Sequence, residues 1–158
     1  MQPQPNIAKL ILYEPPWTDM PKTDQLKRLE QLAEAGQWDD FARCFFGDTI
    51  QVPAKELEEV RNSELWPDIV ADAPASLGDI RALNAYDLDL ARIGRLNIPV
   101  LLQYGSESPQ DLFLTEPLSA VLPDARREEL TGQAHEGMTT APEQYADSVS
   151  RFLLSTAH

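Results

Sequence analysis

His135 lies in a short glycine-flanked segment whose residue types could support acid–base chemistry. The segment 132–137 reads GQAHEG and precedes a helical pattern that starts at Pro142. An imidazole with an ordinary pKa of about 6.5 can take a proton from a hydroxyl group and return it to a leaving group near neutral pH. The pattern makes His135 a candidate general base, although a histidine in a surface loop of an acidic chain is more often only a solvated polar residue.

A histidine base needs two further groups, a carboxylate and a nucleophile. The carboxylate binds the second ring nitrogen, fixes the tautomer and stabilises the imidazolium that forms. The chain has 26 acidic residues, so composition alone does not select this partner. A serine nucleophile is commonly presented in a Gly-x-Ser-x-Gly turn, and no such turn occurs in the 158 residues.

Other kinds of site are not indicated by the sequence. Cys44 is the single cysteine, and His135 and His158 are far apart, so no zinc-type cluster is expected. Adjacent acidic pairs at 39–40 and 58–59 fall on predicted helix surfaces, where solvation accounts for them. The seven glycines form no phosphate-cradling loop, so no cofactor is expected. We assign no role to His158 at the C-terminus.

Hydrophobic patterning predicts the elements that position His135. An apolar run at 8–14, ended by Pro15 and Pro16, is typical of a strand buried on both faces. The later elements are predicted as strands at 98–104 and 126–131 and helices from about Pro109 to Val121 and from about Pro142 to Leu154.

Between the first and second strands, from about residue 21 to 89, apolar residues recur at helical spacing. The first stripe ends at Gly36, and Pro53, Pro67 and Pro74 are expected to interrupt the segment. Four helical stripes are predicted: Leu26, Leu29, Leu32 and Ala33; Trp38, Phe41 and Phe45; Leu57 and Val60; and Trp66, Ile69, Val70 and Ala73.

The alternation of strands and helices predicts an α/β chain with a parallel sheet, because parallel strands need long crossover connections. We divide the chain into three regions. These are residues 1–19, a first core strand and its exit; residues 20–96, a helical region; and residues 97–158, a C-terminal β-α-β-α core that carries the histidine loop.

From Ala8 to Leu154 the order of elements resembles the α/β-hydrolase fold from its sixth strand onward. Residues 98–102 (IPVLL) resemble the seventh strand of that family, and residues 132–135 (GQAH) with 141–143 (APE) resemble its histidine loop and the start of its last helix. The resemblance implies a partial parallel sheet of about three strands with a helical cap, and His135 as the base. It places the first five strands and the nucleophile elbow outside this sequence.

The resemblance leaves the position of the catalytic acid open. The usual aspartate follows the glycine that ends the seventh strand by three residues, and this chain has Ser108 there. Some members, including the haloalkane dehalogenases, carry the acid at the end of the sixth strand, where this chain has Glu14. Glu14 is therefore the first candidate for the acid. The alternative is that Glu14 is an ordinary polar residue at the end of a strand. Glu107 and Asp111, just past the seventh strand, are the next candidates, and Ser106 and Ser108 are not expected to be nucleophiles.

Composition restricts the partners. A formal net charge of −13 repels phosphate backbones and anionic membrane surfaces, so neither nucleic acid nor a membrane is an expected partner. No apolar run approaches the ~20 residues that cross a bilayer, and the segment that starts at Met1 has no basic region of a signal peptide. The single Cys44 favours a reducing compartment, and we expect the chain to be cytoplasmic.

Two functions fit these observations. In the first, the chain is the C-terminal portion of a hydrolase acting on ester-like or amide-like small molecules, with His135 as base and the nucleophile supplied from outside the chain, and the chain alone has no turnover. In the second, it is a non-catalytic, self-associating or binding module derived from a hydrolase. Both predict a homo-oligomer or a complementing chain at the strand at residues 8–14, because a bare strand edge recruits another strand.

Overall fold

The computed structural model describes residues 7–155, so the predictions for Met1 and His158 lie outside the described residues. Three parallel strands form one sheet in the order β1-β2-β3. In register, Leu10 of β1 pairs with Val100 of β2, which pairs with Ala125 of β3. The α/β class and the three parallel strands are confirmed. The strands are β1 (Leu10–Tyr13), β2 (Val100–Gly105) and β3 (Ala125–Leu130).

Helices fill the connections between the strands. The first crossover contains four longer helices, which together we call the helical insertion (residues 23–84), and a short helix that leads into β2. They are α1 (Thr23–Glu34), α2 (Trp38–Cys44) with a π-helical turn (Phe45–Thr49), α3 (Ala54–Arg61), α4 (Trp66–Asn84) and α5 (Leu90–Ile93). After β2 come a 3₁₀ turn (Gln110–Leu112) and α6 (Thr115–Val121), and after β3 come α7 (Gly137–Thr140) and α8 (Pro142–Leu154).

Pro74 does not interrupt the helical insertion, so that prediction is wrong. Pro53 and Pro67 lie at the starts of α3 and α4, but Pro74 lies inside the continuous helix α4. A proline inside a helix removes one backbone hydrogen bond. The helix continues because its buried face, which includes Ala73 and Leu77, packs against α1 and α2, and tertiary packing overrides local preference.

The predicted helix at 109–121 is divided in two. Phe113, between the 3₁₀ turn and α6, has extended backbone angles and forms an antiparallel bridge with Pro16. The Leu114 N–H donates to the Pro15 carbonyl at 2.7 Å, and the Trp17 N–H donates to the Leu112 carbonyl at 3.2 Å. At Phe113 these long-range hydrogen bonds replace the helical ones. The periodicity of the sequence cannot predict them, because it reflects only local contacts.

The sheet and the helical insertion have separate apolar clusters. Leu102 of β2, which is fully buried, belongs to the sheet cluster, and Leu29 of α1 belongs to the cluster of the insertion. Residues 88–96, which fall in the predicted helical region, pack on the sheet cluster through Leu88, Leu90, Ile93 and Leu96.

The carboxyl ends of all three strands lie at the same end of the sheet. Parallel strands end at the same side, so Glu14 after β1, Gly105 of β2 and the loop after β3 meet there. At the opposite end, the Lys9 ammonium donates to the Phe152 and Ser155 carbonyls at 2.7 and 2.6 Å, which fastens the end of α8 beside β1. Among the helices of residues 7–155, none combines the length and apolar content required to cross a bilayer.

Candidate active site

Glu14 is a fully buried carboxylate at the end of β1. Its backbone N–H donates to the Gln103 carbonyl at 3.0 Å, which continues the pairing with β2. Its φ angle of 43° lies in the left-handed region, which costs a non-glycine residue energy. Oε1 of Glu14 accepts a hydrogen bond from the Gly105 N–H at 2.7 Å, and Oε2 lies 3.0 Å from Nδ1 of His135.

His135 is the residue that this carboxylate contacts. Its side chain is 26% exposed, and its ring stacks on Phe113 with ring centroids 5.5 Å apart and planes 4° apart. An ionised carboxylate only accepts hydrogen bonds, so the geometry requires the proton on Nδ1 and leaves the lone pair on Nε2. This tautomer is the one that a general base needs.

The loop that carries His135 packs directly against the end of β2. The Gly132 N–H donates to Oγ of Ser106 at 2.7 Å, and the Glu107 N–H donates to the Gln133 carbonyl at 2.9 Å. A Cβ atom on Gly105 would lie 2.2 Å from the Gln133 carbonyl oxygen. Only glycine therefore permits this approach, which brings His135 within reach of Glu14.

Tyr13 supports the same loop from β1. Its hydroxyl donates to the Ala134 carbonyl, and a Cβ atom on Gly137 would meet the same hydroxyl at 2.5 Å. Burial, together with the nearby carboxylates, raises the pKa of Tyr13 above its ordinary value, so the phenol keeps its proton at neutral pH. The ring also lies edge-on to Tyr145 of α8 at 6.0 Å.

Two further carboxylates lie near His135, and burial raises the pKa of each above its ordinary value. For Glu136, next in sequence, the positive charge of a protonated His135 opposes the effect of burial. For Glu56 of α3, hydrogen bonds from the Glu136 and Ala134 N–H groups oppose it. Three acidic side chains, Glu14, Glu56 and Glu136, therefore lie around the histidine loop.

The structure brings Glu14 to His135 but not the other two candidate acids. Glu107 is exposed, and its carboxylate accepts a hydrogen bond from Ser106 at 3.1 Å. Asp111 is exposed and lines a cavity on the side of the 3₁₀ turn. Within residues 7–155 the ion pair of His135 is formed with Glu14. The difference lies in the side chains, because residues 106 and 107 bind the histidine loop through the Ser106 hydroxyl and the Glu107 N–H, whereas the Glu107 carboxylate is exposed beside Ser106.

The remaining predicted positions contribute no obvious chemistry. The Ser106 hydroxyl is engaged with the loop backbone, and Ser108 is buried with no hydrogen-bond partner for its hydroxyl in the described part of the chain. Cys44 is a buried free thiol whose pKa is raised by burial, so it is a poor nucleophile. The described residues contain no cluster of histidine, cysteine and acidic side chains that could hold a metal ion.

Comparison with known proteins identifies the architecture. No family model and no curated protein matches the chain. An α/β-hydrolase from Sphaerobacter thermophilus is 26% identical, with a TM-score of 0.72, and the match covers 93% of this chain. A hydrolase from Pseudomonas aeruginosa is 21% identical (TM-score 0.70, 94% covered), and an enol-lactonase from Burkholderia xenovorans is 15% identical (TM-score 0.66, 94% covered).

The chain spans 58%, 56% and 57% of the lengths of these three structures. It has the fold of the C-terminal half of an α/β-hydrolase. The order of the three parallel strands, β1-β2-β3, agrees with the partial sheet of about three strands that the sequence predicts.

Three neighbours of His135 were not anticipated from the sequence. Glu56 carries a usable signal, since it lies four residues before Val60 on the buried side of α3, where a charged residue requires a partner. Tyr13 lies on the same face of β1 as Ile11, but the alternation of faces along a strand does not predict a hydrogen bond to a distant loop. Phe113 shows no local pattern that points to the imidazole.

Proposed function

We propose that this chain supplies the base and the acid of a serine-type hydrolase that acts on ester-like or amide-like small molecules. His135 is the base, Glu14 is its carboxylate partner, and the nucleophile and the oxyanion donors come from outside these 158 residues. The observation that carries the proposal is the 3.0 Å contact between Nδ1 of His135 and Oε2 of Glu14, a carboxylate that is 0% exposed.

The proposed reaction uses the two ring nitrogens differently. Nε2 takes the proton from the attacking hydroxyl, and the resulting imidazolium is stabilised by Glu14 through Nδ1. The same Nε2 then returns the proton to the leaving alcohol or amine. Glu14 keeps one oxygen on the Gly105 N–H throughout, which prevents the carboxylate from rotating away from the ring.

One cavity of the described chain has a size suited to a small molecule, and its walls include neither His135 nor Glu14. A space of about 780 Å³ lies between the helical insertion and the 3₁₀ turn, and its walls include Trp17, Met20, Tyr86 and Asp111. This volume is within the range of small-molecule pockets. Phe113 follows the wall residue Leu112 in sequence and packs on His135. One short segment therefore contacts both the cavity and the proposed base.

The edge of β1 favours association with another strand, either in a complementing chain or in a second copy. β1 is the outer strand of the sheet formed by residues 7–155, and its side chains are only partly buried. The N–H groups of Leu10 and Glu14 point to β2, so by alternation the N–H of Ile11 points to the open edge. If the chain is a non-catalytic module, this edge is its binding surface.

Replacement of Glu14 by glutamine tests the proposed acid and base. The Gly105 N–H requires an acceptor, so the glutamine oxygen will occupy that position and its NH₂ group will face Nδ1 of His135. His135 must then accept on Nδ1 and carry its proton on Nε2, which blocks the base. We expect imidazole ¹⁵N NMR to report the Nδ1-H tautomer in the wild-type chain and the Nε2-H tautomer in E14Q.

The matched control is Glu107→Gln, which removes one exposed negative charge near the same strand end. This variant should leave the tautomer of His135 unchanged. His158 is the only other histidine and provides a reference signal in the same spectrum. A wild-type His135 in the Nε2-H form, or an unchanged tautomer in E14Q, would contradict the proposal.

A further inference from the structure

A carboxylate from the helical insertion binds the peptide groups on both sides of His135. Glu56, in the first turn of α3, is 8% exposed. Its Oε2 accepts a hydrogen bond from the Ala134 N–H at 3.1 Å, and its Oε1 accepts one from the Glu136 N–H at 2.8 Å. Both oxygens are therefore used, and the two donors flank the proposed base.

The same loop is held from the opposite side by the sheet. The Tyr13 hydroxyl donates to the Ala134 carbonyl, so the two peptide groups of Ala134 are bound by β1 on one side and α3 on the other. Ala134 is 1% exposed, and a buried N–H without an acceptor is costly. The loop is thus fixed between two elements that belong to different parts of the molecule.

We propose that Glu56 is a positioning residue through which the helical insertion fixes the direction of the His135 ring. The inference rests on the proposed function, because it assigns to Glu56 the orientation of that base. Glu56 contacts only backbone groups of the loop, and His135 pairs with Glu14. A displacement of α3 would therefore change the alignment of Nδ1 with Glu14, which links the helical insertion to the proposed base.

A carboxylate is required at this position because both donors need an acceptor. Glutamine would offer one oxygen and one NH₂ group, and the NH₂ group would face an N–H donor. The charged groups near Glu56 are Glu14 and Glu136, and the neutral phenol of Tyr13 also lies close to it. Burial, and then the charges of Glu136 and Glu14, raise the pKa of Glu56, whereas the two backbone donors lower it.

Hydrogen exchange in Glu56→Gln tests the positioning role. We expect exchange of the Ala134 or the Glu136 amide to accelerate by about tenfold or more, because the NH₂ group of glutamine leaves one of these two donors without an acceptor. The ¹⁵N spectrum of His135 should change from one tautomer to a mixture, while the amides of α1 and β2 keep their wild-type exchange rates. The matched control is Glu59→Gln, which removes an exposed charge from the same helix, and it should change neither signal.

A titration of the wild-type chain gives an independent test that does not require a variant to fold. The amide nitrogens of Ala134 and Glu136 should shift together with the ¹³C signal of the Glu56 carboxyl group as pH falls. Amide shifts that ignore this carboxyl group, or E56Q exchange that rises equally in every element, would overturn the inference. A wild-type Nε2-H tautomer would instead contradict the proposed function and leave the contacts of Glu56 standing.

Discussion

The sheet and the helical insertion bury their apolar residues in different ways. The main cluster of the insertion is formed by its own helices α1, α2 and α4, with Leu29 and Phe41 at 0% and 1% exposure, and a second cluster joins Ile50 and Val52 to Phe113. In the sheet, β2 is buried except at Tyr104, whereas β1 is only partly buried, since Leu10–Tyr13 are all of intermediate exposure. One region therefore has a closed core, and the other has an open edge.

The candidate site lies where these two regions meet. Glu14 and Tyr13 reach the histidine loop from the open strand β1, and Glu56 reaches it from the closed insertion. An incomplete core would allow β1 to move, and Glu14 would move with it. The difference predicts that a strand added to the edge of β1 would also hold Glu14 in place.

The largest expected effect is on catalysis. It tests whether the sheet region needs a second polypeptide that carries the remaining strands and the nucleophile. The wild-type chain alone and His135→Ala should hydrolyse an activated ester equally slowly, because no nucleophile elbow is available. After addition of a polypeptide that carries the first five strands and the elbow of an α/β-hydrolase, His135→Ala should reduce kcat by about 10⁶-fold relative to the wild-type chain. Turnover by the chain alone that depends on His135 would contradict the incomplete-site interpretation.

Two core truncations test whether the regions unfold separately. Leu29→Ala and Leu102→Ala each remove a fully buried side chain and should lower the free energy of unfolding by about 2–5 kcal/mol. We expect Leu29→Ala to accelerate hydrogen exchange in α1, α2 and α4, and Leu102→Ala to accelerate it in the three strands. Uniform acceleration in both variants would show that the two cores form one cooperative unit.

A proline at the open edge tests self-association through β1. The N–H of Ile11 points away from β2, so Ile11→Pro removes an outward donor and leaves the pairing with β2 in place. Ile11→Ala is the control for the lost side chain. Light scattering should report an association constant that is about tenfold or more lower for Ile11→Pro than for Ile11→Ala. A wild-type chain that is monomeric at high concentration would disprove self-association.

The smallest expected effect concerns Glu136, a partly buried carboxyl group next to His135. Burial raises the pKa of Glu136 in the folded chain above the ordinary value of 4.5 that we take for the unfolded chain. The folded state therefore holds this proton more tightly, and the associated stability is lost as pH rises through the folded pKa. Glu136→Gln should remove this loss and so stabilise the chain more at about pH 7.5 than at about pH 4.5, by about 1 kcal/mol or less.

Urea unfolding at both pH values measures this difference. Glu64→Gln, on an exposed loop, removes the same charge without the burial and should show no such pH dependence. An equal effect of Glu136→Gln at both pH values would mean that burial does not control this carboxylate.

Much of the fold could be predicted from the sequence, because local patterns determined it. Short apolar runs bounded by turn residues located all three strands. The predicted bounds of α8 are those that the structure has. The two errors arose where distant contacts override local preference. Pro74 is held inside α4 by packing, and Phe113 is held in an extended conformation by its bridge to Pro16.

The candidate site was less predictable. The resemblance ranked Glu14 ahead of Glu107 and Asp111, but the sequence could not show which of the three contacts His135. The selection depends on the left-handed turn at Glu14 and on the close approach of the loop to Gly105, which are both three-dimensional features.

The sequence by itself determined an α/β chain, the position of the histidine loop and the absence of a Gly-x-Ser-x-Gly turn in these residues. Only the tertiary structure decided that Glu14 is the partner of His135, and that Glu56 and Tyr13 bind the loop from opposite sides. The physical reason is the separation of the interacting residues along the sequence. Strand and helix patterns repeat over a few residues, whereas these hydrogen bonds join residues that are far apart in sequence and are fixed by the packing of whole elements.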